Sequence, residues 1–283
     1  MPVIRVAVAS GKGGTGKTTV AVNLALALSA ARPVQLLDCD VEEPNAHLFV
    51  KPEIEATRSI VKLLPRIDEE RCTRCGACVE ACEFHALARM GETMLVYDAL
   101  CHGCGRCGLV CPVDAIREVP HELGVVETGS ARGIPFAHGR LNIGEAMATP
   151  IIHALKDEIL EDRWTILDAP PGTGCPAIAA LHGANVALLV TEPTPFGLHD
   201  LTAAVEVART LDVPVAVVVN RSGIGDEGVE VYCRREGIPI LLSIPFDRAI
   251  AAAYAVGTPM IDAIPDWRDR FLELGNRLEE VAR

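Results

Sequence analysis

The sequence predicts a doubly wound, mostly parallel α/β sheet interrupted by a small cysteine-rich α+β insert. Short Val/Ile/Leu-rich runs alternate with amphipathic stretches along most of the 283 residues. That alternation is the pattern of parallel strands buried on both faces and covered by helices. A glycine-rich loop with two lysines, Ser10-Gly11-Lys12-Gly13-Gly14-Thr15-Gly16-Lys17-Thr18-Thr19, joins the first apolar run to the first helical one. Eight of the eleven cysteines fall in two identical runs in the first half of the chain. The length suits one large α/β domain plus an insert. We expect the discontinuous α/β domain at residues 1–59 and 120–283, and the insert at 60–119.

Taken in order, Val3 to Ala9 reads as the first strand and Val20 to Ala30 as the first helix. The glycines between them let the backbone wrap an anion closely, with successive N–H groups and the helix N-terminus pointing at it. Lys17 adds a charge at the β/γ-phosphates, and Thr18 presents a hydroxyl to Mg²⁺. The whole loop from Gly11 through Thr19 is therefore a candidate nucleotide cradle. Val34 to Leu37 is the second strand and ends in Asp38-Cys39-Asp40; a polar loop through Asn45 follows. After the insert come helix Ile151–Leu160, strand Trp164–Leu167 and helix Ala177–Leu181. Strand Val186–Val190, helix His199–Leu211, strand Val215–Val219, helix Val229–Glu236 and strand Ile240–Ile244 complete the alternation. Right-handed connections gather the loops at the carboxyl ends of the strands on one edge, so the polar strand ends are expected to meet the glycine loop there.

The cysteine runs are Cys72-x-x-Cys75-x-x-Cys78-x-x-x-Cys82 and Cys101-x-x-Cys104-x-x-Cys107-x-x-x-Cys111, each position recurring 29 residues later. The segment is an internal duplication with the bacterial two-cluster ferredoxin pattern. In that pattern three thiolates of each run hold one [4Fe–4S] cluster and the fourth ligates the other. Cluster one falls to Cys72, Cys75, Cys78 and Cys111, and cluster two to Cys82, Cys101, Cys104 and Cys107. Glu83 stands where proline is usual, which alters the turn and removes no ligand. Zinc is the rival occupant, although a zinc ribbon pairs two separated C-x-x-C knuckles.

Lys12 inside the loop makes the string Lys12-Gly-Gly-Thr-Gly-Lys-Thr-Thr resemble the deviant Walker A loop of the MinD/ParA/Mrp/nitrogenase-iron-protein class. The resemblance extends through Asp168-Ala-Pro-Pro-Gly172, the Asn220-Arg221 pair and Ser243-Ile-Pro245-Phe246-Asp247. It covers almost the whole chain and implies a SIMIBI-like P-loop NTPase fold with ATP/ADP and Mg²⁺ as ligands. By that resemblance Lys12 reaches the nucleotide of a partner subunit and stabilises charge on the transferring phosphoryl group. Asp168 holds the Mg²⁺ shell, and Gly172 senses the γ-phosphate through its N–H. Asp40 orients the attacking water, and Asp38 acts nearer the metal. Asn220, Arg221, Pro245 and Phe246 are expected at the base, and Asn45 matches a switch I asparagine. Lys12, Lys17, Asp40 and Asp168 are the expected catalytic set.

Cys175 lies seven residues after Asp168, the offset of a bridging cysteine in the nitrogenase iron protein, but no second such cysteine lies between Pro112 and Trp164. A redox or substrate contact and a buried small residue are equally open there. Cys39 and Cys233 read as packing cysteines. The net charge of −12 argues against unspecific nucleic-acid binding. No signal peptide or membrane span is legible, so a cytoplasmic protein is expected. The C-terminal stripe Trp267, Phe271, Leu274, Leu278, Val281 lacks a basic face and is expected to dock on the core, not on a membrane. The expected protein is an ATP-dependent homodimer, or a heterodimer with a related ATPase, that passes electrons to an unidentified redox partner. A positioning ATPase with structural clusters is the alternative. An iron–sulfur carrier ranks below both, because only Cys233 lies where that class has a late cysteine pair.

Overall fold

The computed structural model describes residues 3–282. The first half of the chain forms β1 (Arg5–Ala9), α1 (Lys17–Leu28), β2 (Val34–Asp38), α2 (Ala46–Val50), β3 (Glu53–Ile67), α3 (Ala77–Ala81), β4 (Leu87–Met90), β5 (Thr93–Val96), α4 (Arg106–Leu109), β6 (Ile116–Ala131) and β7 (Ile134–Leu141). The second half forms α5 (Thr149–Lys156), β8 (Trp164–Asp168), α6 (Cys175–Leu181), β9 (Val186–Thr191), α7 (Pro195–Thr210), β10 (Val215–Ser222), α8 (Gly228–Glu236), β11 (Ile240–Pro245), α9 (Arg248–Ala255), α10 (Met260–Ala263) and α11 (Trp267–Val281). The chain divides into two compact units. One takes the chain up to Arg58, Val126–Arg140 and everything from Ala148; the other takes Ser59–Val125 and Leu141–Met147.

A nine-stranded sheet runs in the order β11-β10-β9-β1-β8-β2-β7-β6-β3, and every pairing from β11 to β7 is parallel. The strands are apolar because both faces are covered: β2, β8 and β9 are buried throughout. Helix α1 is buried almost all round. Gly275 of α11 allows close approach, since a Cβ there would lie 2.4 Å from Leu28. The C-terminal stripe docks as expected: Trp267, Phe271, Leu274 and Leu278 join the core and Val281 packs against it. Burying side chains of this size is worth about 1.5–3 kcal/mol each.

Element boundaries differ from the sequence reading for local reasons. The first strand starts at Arg5, not Val3. The first helix starts at Lys17, three residues early, because the loop's last residues form its first turn, and it ends at Leu28. Helix α7 begins at Pro195 instead of His199: the Thr194 hydroxyl caps the Gly197 N–H at 3.0 Å, and Pro195 follows at the position that needs no donor. Helix α5 stops at Lys156 instead of Leu160. The buried Gln35 amide then takes the Glu158 carbonyl at 2.7 Å and the Leu160 N–H at 3.0 Å. The long strands β3, β6 and β7 and the helices α2, α9 and α10 carry no clean periodicity and were not foreseen.

The smaller unit repeats itself. Helices α3 and α4 stand 29 residues apart, and each follows a glycine with positive φ, Gly76 at 84° and Gly105 at 73°. Strands β4 and β5 form an antiparallel hairpin. The unit reaches beyond residues 60–119 because Leu141–Met147 returns to it. Asn142 donates its N–H to Leu123 at 2.8 Å, and Glu145 meets His121 at 2.6 Å and the buried Lys62 at 3.4 Å.

Candidate functional site

The carboxyl ends of the parallel strands surround a cavity of about 470 Å³ in the larger unit. Gly13, Gly14, Gly16, Lys17, Thr18 and Thr19 line one side, joined by Asp40, Asn45, Asn220, Arg221, Pro245 and Phe246. The loop is held from behind: Asn220 donates its amide to the Thr15 carbonyl at 2.7 Å and accepts the Arg221 N–H at 2.9 Å. A Cβ at Gly16, whose φ is +96°, would strike that amide at 2.4 Å. Asn220 thus positions the phosphate loop. Glu43, Pro171, Asp247, Ile250, Ala251 and Tyr254 also line the cavity. Sequence reasoning missed Ile250, Ala251 and Tyr254, because α9 offers only a short apolar run as a signal; Pro171 and Asp247 lie inside the motifs it had quoted.

Three acids converge beneath the loop. Asp168 and Asp38 are register neighbours on β8 and β2, and both are fully buried. Neither oxygen of Asp168 has a hydrogen-bond partner. Burial pushes its carboxyl well above the usual range and the Asp38 charge adds to that, while the Lys17 ammonium pulls the other way. Asp38 instead accepts the N–H groups of Asp40 (3.1 Å), Asn45 (3.0 Å) and Ala46 (2.9 Å). Burial raises it to about 7 against those bonds. Neither Asp38 nor Asp168 lines the cavity; Asp38 organises the turn from β2 into α2, whereas the sequence reading set it nearer the metal. Asp40 does face the cavity, and burial raises it to about 6 against the Lys17 charge.

Other expected positions differ. The Gly172 N–H is donated to the Ser10 carbonyl at 3.0 Å, so it does not point into the cavity here. Gly11 lies against α7, where a Cβ would come within 2.1 Å of the Asp200 carbonyl. Lys12 lies 3.6 Å from Glu192. Cys175 is exposed, which removes the packing alternative, whereas Cys39 and Cys233 are buried. Burial raises the Cys39 thiol, and takes Cys233 to about 11.

The smaller unit holds two small hollows. Cys82, Cys101, Cys104 and Cys107 line the first, and Cys72, Cys75, Cys78 and Cys111 the second. Each fourth cysteine thus sits with the other run's first three. Backbone N–H groups reach three sulfurs: Ala86 to Cys82 at 3.3 Å, Ala115 to Cys111 at 3.2 Å and Gly103 to Cys101 at 3.4 Å. Among the described residues, no three His, Cys, Asp or Glu side chains close on a single metal ion.

Residues 6–260 match the family described as the CobQ/CobB/MinD/ParA nucleotide binding domain. The chain belongs to that family. An uncharacterized protein of Methanocaldococcus jannaschii is 30% identical over 281 residues, covering 98% of this chain and 97% of its own. An iron–sulfur cluster carrier protein of Pyrococcus abyssi is 27% identical, covering 91% of this chain and 79% of its own. Among solved structures, the septum site-determining protein MinD of Pyrococcus horikoshii, complexed with Mg-ADP, matches with a TM-score of 0.58 at 19% identity, over 99% of this chain and 97% of its own. That likeness is one of fold: a mostly parallel MinD-like P-loop sheet. Among the described residues no helix is long and apolar enough to cross a membrane.

Proposed function

We propose that this family member is an ATP-binding, weakly hydrolysing iron–sulfur protein that pairs with a second ATPase subunit, its nucleotide state controlling electron transfer to a partner protein. The observation that carries the reading is one chain with both a phosphate-loop cavity and two hollows, each lined by four cysteines drawn from both repeats. Under this reading the smaller unit is an inserted ferredoxin domain, and Lys12 makes the loop a deviant Walker A.

In the nucleotide cavity, the N–H groups of the glycine loop and Lys17 bind the phosphates, while Thr18 and Asp168 hold Mg²⁺. The buried, unpartnered carboxylate of Asp168 fits that task, because a cation supplies the compensation its oxygens lack. Mg²⁺ when bound neutralises charge developing on the phosphates. Asp40 orients the attacking water, the base rests among Asn220, Arg221, Pro245 and Phe246, and Lys12 reaches the partner's nucleotide. Two [4Fe–4S] clusters when bound supply one-electron storage, Cys72, Cys75, Cys78 and Cys111 holding one and Cys82, Cys101, Cys104 and Cys107 the other. The apolar linings and N–H groups aimed at sulfur support resident clusters.

A second reading, cluster delivery to other proteins, is favoured by relatives named iron–sulfur cluster carrier proteins at 25–27% identity. Anaerobic purification followed by iron analysis and a potentiometric titration with and without ATP tests both. The proposal expects about eight irons per chain and an ATP-dependent shift in potential, partner affinity or electron-transfer rate. Stoichiometric zinc without iron would overturn the cluster assignment. Rapid loss of all iron to an apo-ferredoxin acceptor would favour the carrier.

A further inference from the structure

Glu192 is a nearly buried carboxylate that the expected chemistry leaves unused, and the sheet explains where it stands. Ala9 is register-paired with Leu189, and Val219 with Thr191. The residue just past β9 is therefore flanked by the phosphate loop on one side and the Asn220–Arg221 pair on the other. Its oxygens divide between them: Oε1 accepts from Arg221 Nη1 at 2.5 Å, and Oε2 lies 3.6 Å from Lys12 Nζ. The two contacts differ in kind. The first is a hydrogen-bonded ion pair, formed by an arginine whose φ is +54°. The second is longer than a hydrogen bond, and its lysine side chain keeps a third of its surface exposed.

The backbone beneath Glu192 is fixed. A Cβ at Gly197 would come within 2.2 Å of the Glu192 carbonyl, and one at Gly225 within 1.3 Å of the Pro193 carbonyl. The Thr194 N–H closes on the Glu192 carbonyl at 2.8 Å, and the Asp226 N–H on Pro193 at 3.0 Å. The carboxylate is thus held in place before Lys12 meets it. Losing Lys12 still leaves it paired with Arg221, so the lysine can depart without stranding a buried charge.

We propose that Glu192 is a positioning residue that holds the Lys12 ammonium on its own subunit, so that pairing of two ATP-bound subunits begins with release of Lys12 from Glu192. The inference rests on the reading of Lys12 as a residue that acts across a subunit interface.

Two measurements on the full chain separate the contact from that reading. Acylation of lysines by limiting acetic anhydride, quantified by mass spectrometry, reports Lys12 directly, with the exposed Lys51 as internal reference. Glu192→Gln keeps an acceptor for Arg221 and removes the negative charge that faces Lys12. We expect Lys12 labelling to rise about two- to fivefold, the range of a partly exposed ion pair, and raised salt to have the same effect in the unsubstituted chain. No increase in either experiment overturns the role of Glu192. Sedimentation with ATP then reports association. Glu192→Gln should shift it to lower protein concentration by a similar factor, and Glu192→Gln in a Lys12→Ala background should produce no such shift. An unsubstituted chain that never associates with ATP overturns the interface reading of Lys12 and the gating with it, whatever the labelling shows.

Discussion

Asp168→Asn should make the nucleotide-free protein more stable and its Mg²⁺·ATP complex weaker. Both directions come from one feature: a fully buried carboxylate with no hydrogen-bond partner, beside a second buried acid on the neighbouring strand. An unpartnered buried polar group costs about 1–3 kcal/mol and a charge costs more. The amide of asparagine keeps the shape and removes the repulsion from Asp38, so about 1–2 kcal/mol of stability should be gained. For a chain of this size that is a rise of roughly 2–8 °C in Tm. The cation should reverse the ranking. Ligand at a hundred times its Kd adds about 2.7 kcal/mol to the unsubstituted protein, and much of that increment should vanish in the variant once Asp168 no longer meets Mg²⁺. Thermal unfolding of both proteins, with EDTA and with saturating Mg²⁺·ATP, reads the two effects side by side. A variant less stable than its parent in EDTA would refute the view of Asp168 as a buried acid without compensating partners; an undiminished Mg²⁺·ATP increment would refute its assignment to the metal.

Cys82→Ser should remove one cluster and spare the one at Cys72, Cys75, Cys78 and Cys111, lowering iron from about eight to about four per chain; loss of the cluster bound by the nearer run would contradict the crossed lining of the two cavities. Lys17→Ala should abolish tight ATP binding, whereas Lys12→Ala should leave binding by the single subunit intact and remove ATP-dependent association, as equilibrium dialysis and sedimentation would report. Asn220→Ala deletes the bond to the Thr15 carbonyl, and nucleotide affinity should fall about fivefold, equivalent to about 1 kcal/mol, in a titration with labelled ADP. His138 is held below the ordinary histidine range chiefly by burial, opposed by its bond to Glu127. The unfolded chain therefore binds the extra proton first, so this stability is present above about pH 6.5 and lost as pH falls below it. Urea midpoints at about pH 7.5 and about pH 5.5 should lie closer together in His138→Gln than in the parent.

What could be read directly was whatever depends on residues close in sequence. The phosphate loop was legible because its glycines, Lys17 and Thr18 act through a single turn, and the cysteine runs because ligand spacing is a local property. Strand ends were legible too, since the switch from apolar to polar at Asp168 and Asn220 marks where a parallel strand leaves the core. The boundary at Lys156 was not, because a buried Gln35 from another strand takes up the backbone groups that the helix gives up. Tyr254 and Ile250 were missed for a related reason: only the path of α9 brings an ordinary apolar run to the cavity wall.

The sequence by itself thus determined a parallel α/β sheet, its phosphate loop and two repeated sets of thiols. The tertiary structure decided how the charges between those landmarks are used. Asp38 and Asp168 look alike as acids ending apolar strands, yet one meets three backbone N–H groups and the other none. Glu192 carries no motif at all and joins Lys12 to Arg221 because β1 and β10 lie on either side of β9. The physical reason is common to both cases. The state of a buried charge depends on the partners within a few ångströms of it, and in a parallel sheet those partners arrive from strands distant in sequence.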